Sequence, residues 1–346
     1  MIEAIELVKK YGDHVAVDHL SFRVEKGQIL GFLGPNGAGK STTMNMLTGY
    51  ISMTEGQILV NGYDMLEEPE EAKRCIGYLP ELPPLYMDMT VTEYLCFVTE
   101  IKKIPRNRRK SEIQRVIELT GLTEMRNRLI KNLSKGYKQR VGIAQALVGD
   151  PDVIILDEPT VGLDPLQIIE IRELMRKLAE NHAVLLSSHI MQEISAVCDR
   201  VMIINRGTLI YHGSLEELRE QAVERANIEV SAFTTKEKLY DILCQFVSGD
   251  KITEAPAEDE RCAVFFAETS EDIRGEISQA LLKNNICVEK LTRNIESLEE
   301  FFISSIEKAE MEYYRNLETE EDEDDEDDGD DEEGTNDNRE QEETKQ

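Results

Sequence analysis

The sequence predicts an α/β protein, with a largely parallel, buried sheet interleaved with helices, then a small α+β domain and an acidic tail. Three observations predict it. Up to about Gly213 short apolar runs alternate with helical patterns, and past Gly213 the pattern changes to shorter strands and amphipathic helices. From Glu318 to Gln346, 18 Asp and Glu stand against only Arg339 and Lys345.

In chain order, AIELVKKYG and HLSFRVEKG carry turn signals and read as early antiparallel strands. QILGFL, PDVIILD, HAVLLSS and RVMIINRG are near-continuous apolar runs, the pattern of strands covered on both faces. Within this core a polar helical block runs from about Val91 to Val148, opened by a capping-box spacing from Thr90 to Glu93. SLEELREQAV reads as a linker helix capped at Ser214, with Glu217 three residues on. NIEVSAF, DKITEA, RCAVFFAE and NICVEKL then read as strands. TTKEKLYDILCQF, SEDIRGEISQALLKNN and IESLEEFFISSIEKAE read as helices, making a βαββαβ-like unit. That unit shows no catalytic constellation, so a regulatory or dimer-supporting role is expected of it. The expected division is 1–215, with a helical part at about 88–148, then 216–310, then a tail at 311–346.

Charge and composition exclude several classes. Of the net charge of −30, the segment from Glu318 carries −16, and a run such as EEDEDDEDDGDDEE repels itself and is expected to be disordered. The body is acidic too, which argues against a nucleic-acid partner, because no basic stripe is available to neutralise phosphates. Only RNRRK, from Arg106, is locally basic. Six cysteines without C-x-x-C spacing fit reduced thiols better than a disulfide framework. MIEAIELVKKYGD lacks the apolar core of a signal peptide, and no run approaches the 18 or so apolar residues of a membrane span.

The stretch GPNGAGKSTT has the spacing G-x-x-x-x-G-K-[ST], read at Gly34, Gly39, Lys40 and Ser41, between an apolar strand and a helical segment. Glycines there let backbone N–H groups wrap phosphate oxygens, and the helix start adds its positive dipole end. Lys40 would reach the β- and γ-phosphates and the Ser41 hydroxyl a Mg²⁺ ion. PDVIILDEPT ends its strand in Asp157, where a Mg²⁺ contact belongs, and Glu158, the candidate general base. In NLSKGYKQRVGIAQAL, Ser134 and Gly136 open a helix, a second place for an anion. Two half-sites unable to reach one ligand suggest a head-to-tail pair of subunits. GLDPLQ supplies Asp164, and LLSSHI supplies His189 at a strand end, a donor for the γ-phosphate.

Taken in order, GPNGAGKST, LSKGYKQR, VIILDEP, GLDP and SSH resemble the Walker A, signature, Walker B, D-loop and H-loop motifs of the ATP-binding cassette (ABC) family. Residues 216 to 310 are similar to the carboxy-terminal extension of ABC-2-type export ATPases. The resemblance implies a P-loop NTPase cassette with a RecA-like parallel core, an antiparallel β subdomain and a helical subdomain. It implies that Tyr11 stacks on adenine and that Asn36, Gly37, Ala38, Gly39, Lys40, Ser41 and Thr42 cradle the phosphates of ATP. Ser41 and Asp157, with Glu81 in the lid segment, would attend Mg²⁺. Glu158 would activate water, His189 would contact the γ-phosphate, Ser134 and Gly136 would bind the ATP of the other subunit, and Asp164 would work across the seam. The sequence departs from the family at Glu81, where glutamine is usual, and in LSKGY, which puts Lys135 and Tyr137 where glycine and glutamine are typical. The function implied is the ATPase subunit of an exporter at the cytoplasmic face of the membrane, peripheral, driving a separately encoded transmembrane permease. It would act as a homodimer or with a paralogous ATPase subunit. Rival readings are a soluble ABC ATPase without a membrane partner and a slow-turnover nucleotide sensor.

Overall fold

A computed structural model describes residues 1–327 apart from 225, 258 and 260. The chain divides into two compact units, Met1–Ile303 and Ser304–Gln346.

The first strands are β1 (Ile2–Tyr11) and β2 (His14–Val24), paired antiparallel through a turn in which Gly12 takes a left-handed φ of +60°. After β3 (Ile29–Leu33) and α1 (Lys40–Leu47), the chain returns to this first sheet with β4 (Glu55–Val60) and β5 (Tyr63–Asp64). Its order is β2-β1-β4-β5. The sequence pattern does not reveal β4 and β5, because β4 begins EGQ and only its last residues turn inward.

Then follow α2 (Pro69–Arg74), β6 (Ile76–Leu79), α3 (Val91–Ile101), α4 (Arg106–Leu119) and α5 (Lys135–Leu147). The expected capping box forms: Thr90 Oγ1 accepts from Glu93 N–H while the Glu93 carboxylate accepts from Thr90 N–H. The chain re-enters the main sheet with β7 (Val153–Asp157), α6 (Pro165–Ala179), β8 (Ala183–Ser188), α7 (Met191–Val197), β9 (Arg200–Asn205) and β10 (Thr208–Ser214). The main sheet has the order β10-β9-β3-β8-β7-β6, parallel except for the β9–β10 pair. It holds two strands more than the four apolar runs announce. β6 is short and glycine-bearing: a side chain at Gly77 would run into the carbonyl of Ala146.

All five residues of β3 and of β7 are buried, as expected of strands covered on both faces. The first two sheets share one core, in which Phe22 and Phe32 meet with ring centroids 5.7 Å apart and planes tilted by 57°, among Leu30, Met44, Ile58 and Ile155. Each such residue contributes about 1.5–3 kcal/mol on leaving water. β3 sits mid-sheet, between strands that come late in the chain. A ligand site in an open parallel sheet lies at the carboxyl ends of strands where the winding reverses, and the loop after β3 occupies that place.

Beyond β10 come α8 (Leu215–Glu224), β11 (Asn227–Phe233), α9 (Lys236–Leu243), β12 (Ile252–Ala255), β13 (Ala263–Glu268), α10 (Arg274–Lys283), β14 (Cys287–Asn294) and α11 (Leu298–Asp327). Ser214 and Glu217 cap α8 reciprocally. The third sheet, β12-β13-β11-β14, is antiparallel and follows the βαββαβ order. Its core is separate, built from Val230, Leu239, Leu243, Phe265, Ile277 and Leu281. The segment expected to be disordered from Glu318 instead continues α11 as helix to Asp327, and its residues 328–346 lie outside the described residues. Among the described residues no helix is long and apolar enough to cross a membrane.

Candidate nucleotide site

Between β3 and α1 the chain closes a loop that only glycine could shape. Gly37 and Gly39 take φ of +83° and +101°, and a side chain at Gly34 would run into the carbonyl of Ile204. Gly39 faces the carbonyl of Ala16 on β2, so the first sheet braces the loop from below. The buried Lys40 folds its ammonium over this loop, donating to the carbonyls of Gly34 at 2.8 Å and Pro35 at 3.1 Å. Its Nζ lies 4.0 Å from Glu158 Oε1. Burial lowers the pKa of Lys40, an effect opposed by the carboxylates of Glu158, Asp157 and Glu81.

The two acidic residues at the end of β7 are held by Ser187 on β8. Ser187 Oγ donates to Asp157 Oδ1 at 2.5 Å and accepts from Glu158 N–H at 3.0 Å. Glu158 takes a left-handed φ of +48°, a conformation costing a non-glycine residue about 1–3 kcal/mol, which the Ser187 bond helps to hold. Its two carboxylate oxygens lie 3.0 and 3.1 Å from His189 Nδ1. Burial raises the pKa of Glu158, against the lowering effects of His189 and Lys40. Burial likewise raises that of Asp157, helped by the charge of Glu81 and opposed by hydrogen bonds from Ser187 and Ser41.

A cavity of about 410 Å³ is lined by Tyr11, Asn36, Gly37, Gly39, Lys40, Ser41, Thr42, Glu81, Glu158 and His189, a size suited to a small-molecule ligand. Ten of the residues singled out from sequence thus share one cavity wall. Tyr11 stands 52 % exposed at its edge, with Lys9 Nζ 5.1 Å from its ring centroid. Ala38 and Asp157 are buried behind the wall. Ala38 contributes backbone only, its N–H donating to the carbonyl of Pro35 and its carbonyl accepting from Gly207 N–H. The donor set around Ser41, a hydroxyl with the carboxylates of Asp157 and Glu81, consists of hard oxygens. It fits Mg²⁺, which takes one or two carboxylates and completes its shell with phosphate oxygens and water.

Ser134, Gly136 and Asp164 do not line this cavity; they form a second group. Ser134 caps α5, its hydroxyl accepting from Tyr137 N–H, and Asp164 caps α6, its carboxylate accepting from Gln167 N–H at 3.0 Å. The two helix starts touch: a side chain at Gly136 would strike Gln167, and one at Gly162 would strike the Lys135 ammonium. Arg140 pairs with Glu170 between the same helices.

Sequence reasoning missed His14, Ala16 and Val161, which also line the cavity. The period of two along β2 sets His14 and Ala16 on one face, a signal present but weak. The bridging role of Ser187 has no spacing signature, because it depends on β7 and β8 being neighbours.

Comparison with known proteins extends these observations. The ABC transporter family model matches residues 17–161. The bacitracin transport ATP-binding protein BcrA of Bacillus licheniformis is 36 % identical over 312 residues, covering 88 % of this chain and 97 % of that one. The ABC transporter ATP-binding protein NatA of Bacillus subtilis is 40 % identical over 207 residues, 59 % of this chain and 84 % of that one. Among solved structures, an ATP-binding subunit of an ABC transporter is 31 % identical with a TM-score of 0.58, covering 64 % of this chain and 92 % of that one. The cassette MJ0796, solved as a dimer in a post-hydrolysis state with ADP and phosphate, shares the fold at a TM-score of 0.56 and 24 % identity, covering 62 % and 99 %. Since the likeness to BcrA spans nearly all of that protein and the family match runs from β2 past both strand-end carboxylates, the chain belongs to the ABC transporter family, among its ATP-binding, ATP-hydrolysing subunits.

Proposed function

We propose that this ATPase drives a separately encoded permease of the ABC-2 export type, at the cytoplasmic face of the membrane, through an ATP-dependent dimer. The observation that carries the proposal is the single cavity gathering Tyr11, the phosphate loop, Glu81, Glu158 and His189. In it Tyr11 stacks on adenine, Asn36 to Thr42 with Ala38's backbone cradle the phosphates, and Lys40 neutralises them. Ser41, Asp157 and Glu81 would hold Mg²⁺, which supplies charge neutralisation on the phosphate oxygens. Glu158 accepts a proton from the attacking water, and a raised affinity for that proton suits a base. His189 orients the Glu158 carboxylate and reaches the γ-phosphate.

Ser134, Gly136 and Asp164, away from the cavity on touching helix starts, serve the nucleotide of a second subunit, a homodimer partner or a paralogous ATPase. The apolar residues around them support this: Leu166 is 75 % exposed, with Ile169 and Val161 exposed nearby. The export reading is supported by the aligned length with BcrA, which exceeds residues 1–215 and so runs into the small domain at 216–310. We assign that domain an accessory role, and 311–346 a tail. A second cleft, about 690 Å³, is lined by Tyr50, Tyr78, Leu82, Pro84 and Gln145. Tyr50 and Leu82 stand 81 % and 83 % exposed, and this cleft receives the permease.

The test is ATP hydrolysis by the chain beside Glu158→Gln, with gel filtration in ATP and Mg²⁺. The variant is expected to lose about 10²-fold or more in kcat and to elute as a nucleotide-dependent dimer. A variant that hydrolyses like the wild type removes Glu158 from the reaction, and one inactive but monomeric removes the dimer.

A further inference from the structure

Glu193 lies on α7, outside the nucleotide cavity, and is 8 % exposed. Its Oε2 accepts two hydroxyl hydrogen bonds, from Thr160 Oγ1 at 2.5 Å and from Ser188 Oγ at 2.9 Å. Both hydroxyl residues are buried. Thr160 follows Glu158 by two residues in the loop leaving β7, and Ser188 immediately precedes His189. Ser188 Oγ also accepts from Ile190 N–H at 3.1 Å, so the hydroxyl that Glu193 holds also braces the residue on the far side of His189. The loop itself closes on Thr160, whose carbonyl accepts from Leu163 N–H at 3.2 Å.

The backbone pairing between β7 and β8 ends at Asp157 and Ser187. Past that pair, side chains must set the relation between the two loops. His189 is exposed, so packing does not fix its ring. Hydrogen bonds to a buried carboxylate are roughly twice as strong as neutral ones, which makes one glutamate an effective tie between two chain segments.

We propose that Glu193 is a positioning residue for ATP hydrolysis: it locks the loop carrying Glu158 to the strand end carrying His189 and so sets the contact between them. The inference rests on the assignment of Glu158 and His189 to the reaction. Glu193 acts through them without touching the nucleotide.

The test compares wild type, Glu193→Ala, Glu193→Gln, Thr160→Val, the Glu193→Ala/Thr160→Val double variant and Glu158→Gln, as full chains, for kcat, KM for ATP and melting temperature. Glu193→Ala and Thr160→Val are each expected to lower kcat about tenfold with KM within about twofold, since small misplacements of reacting groups act on the chemical step. The double variant is expected to be no slower than the slower single one, because both remove the same tie. Glu193→Gln, whose amide oxygen accepts the same two hydroxyls, is expected to recover most of the rate. Wild-type kcat in Glu193→Ala or Thr160→Val, beside an inactive Glu158→Gln, overturns the proposal, as do losses confined to KM or additive in the double variant. Should Glu193→Ala fail to fold, the near-isosteric Thr160→Val decides alone. Full activity in Glu158→Gln instead overturns the assignment on which the proposal rests.

Discussion

At the scale of single residues, Asp157 and Glu158 are both held above their ordinary carboxylate values by burial. A folded-state pKa above the unfolded one stabilises the fold at pH below the unfolded value, and that contribution is lost as pH rises through the folded value. At neutral pH the fold therefore carries the cost of two buried charges. Glu158→Gln removes one of them, so it should melt no lower than wild type at pH 8, with the difference shrinking as pH falls towards the carboxylate range; thermal melts against pH check this. The same shift should move the acid limb of the kcat–pH profile above the ordinary glutamate value. Lys40, Asp157, Glu158 and His189 were legible in the sequence because each belongs to a short run with fixed spacing beside a strand end. Ser187 and Glu193 were not, since their partners at and after the end of β7 lie 29 to 33 residues away and meet them only through strand adjacency.

At the scale of elements, α5 joins the two groups of functional residues. Its start carries Ser134, while Gly142 packs on β6 and the segment after it, where a Cβ would lie 2.6 Å from Leu79 Cδ1 and 3.1 Å from Pro83. Gln145, further along, accepts from Tyr94 on α3, whose hydroxyl also reaches the carbonyl of Pro84. Gly77→Ala, whose Cβ would run into the backbone carbonyl of Ala146, should push α5 off β6 and cost about 1–3 kcal/mol by overpacking, read as a lower melting temperature. The apolar runs of β3, β7, β8 and β9 and the caps at Thr90 and Ser214 could be read directly. β4, β5 and β6 could not, because two to six residues with a glycine or an exposed start carry no period strong enough to stand apart from a loop.

At the scale of the whole molecule, the exposed apolar residues beside Asp164 are the seam of the proposed dimer. Leu166→Asp should abolish nucleotide-dependent dimerisation in gel filtration while leaving ATP binding by one subunit intact, because Leu166 does not line the cavity. The place of β3 has a further consequence for synthesis. β3 pairs only with β8 and β9 within its sheet, so the phosphate loop is translated early but its strand stays unpartnered until residue 183 and beyond have been made. A chain cut short before Ala183 carries an apolar, unpaired strand and lacks β8, the strand that seats β7 and its two acidic residues beside β3. Such a fragment exposes apolar strand with no partner, so interrupted synthesis should leave a protease-sensitive chain and no half-built subunit able to hold nucleotide.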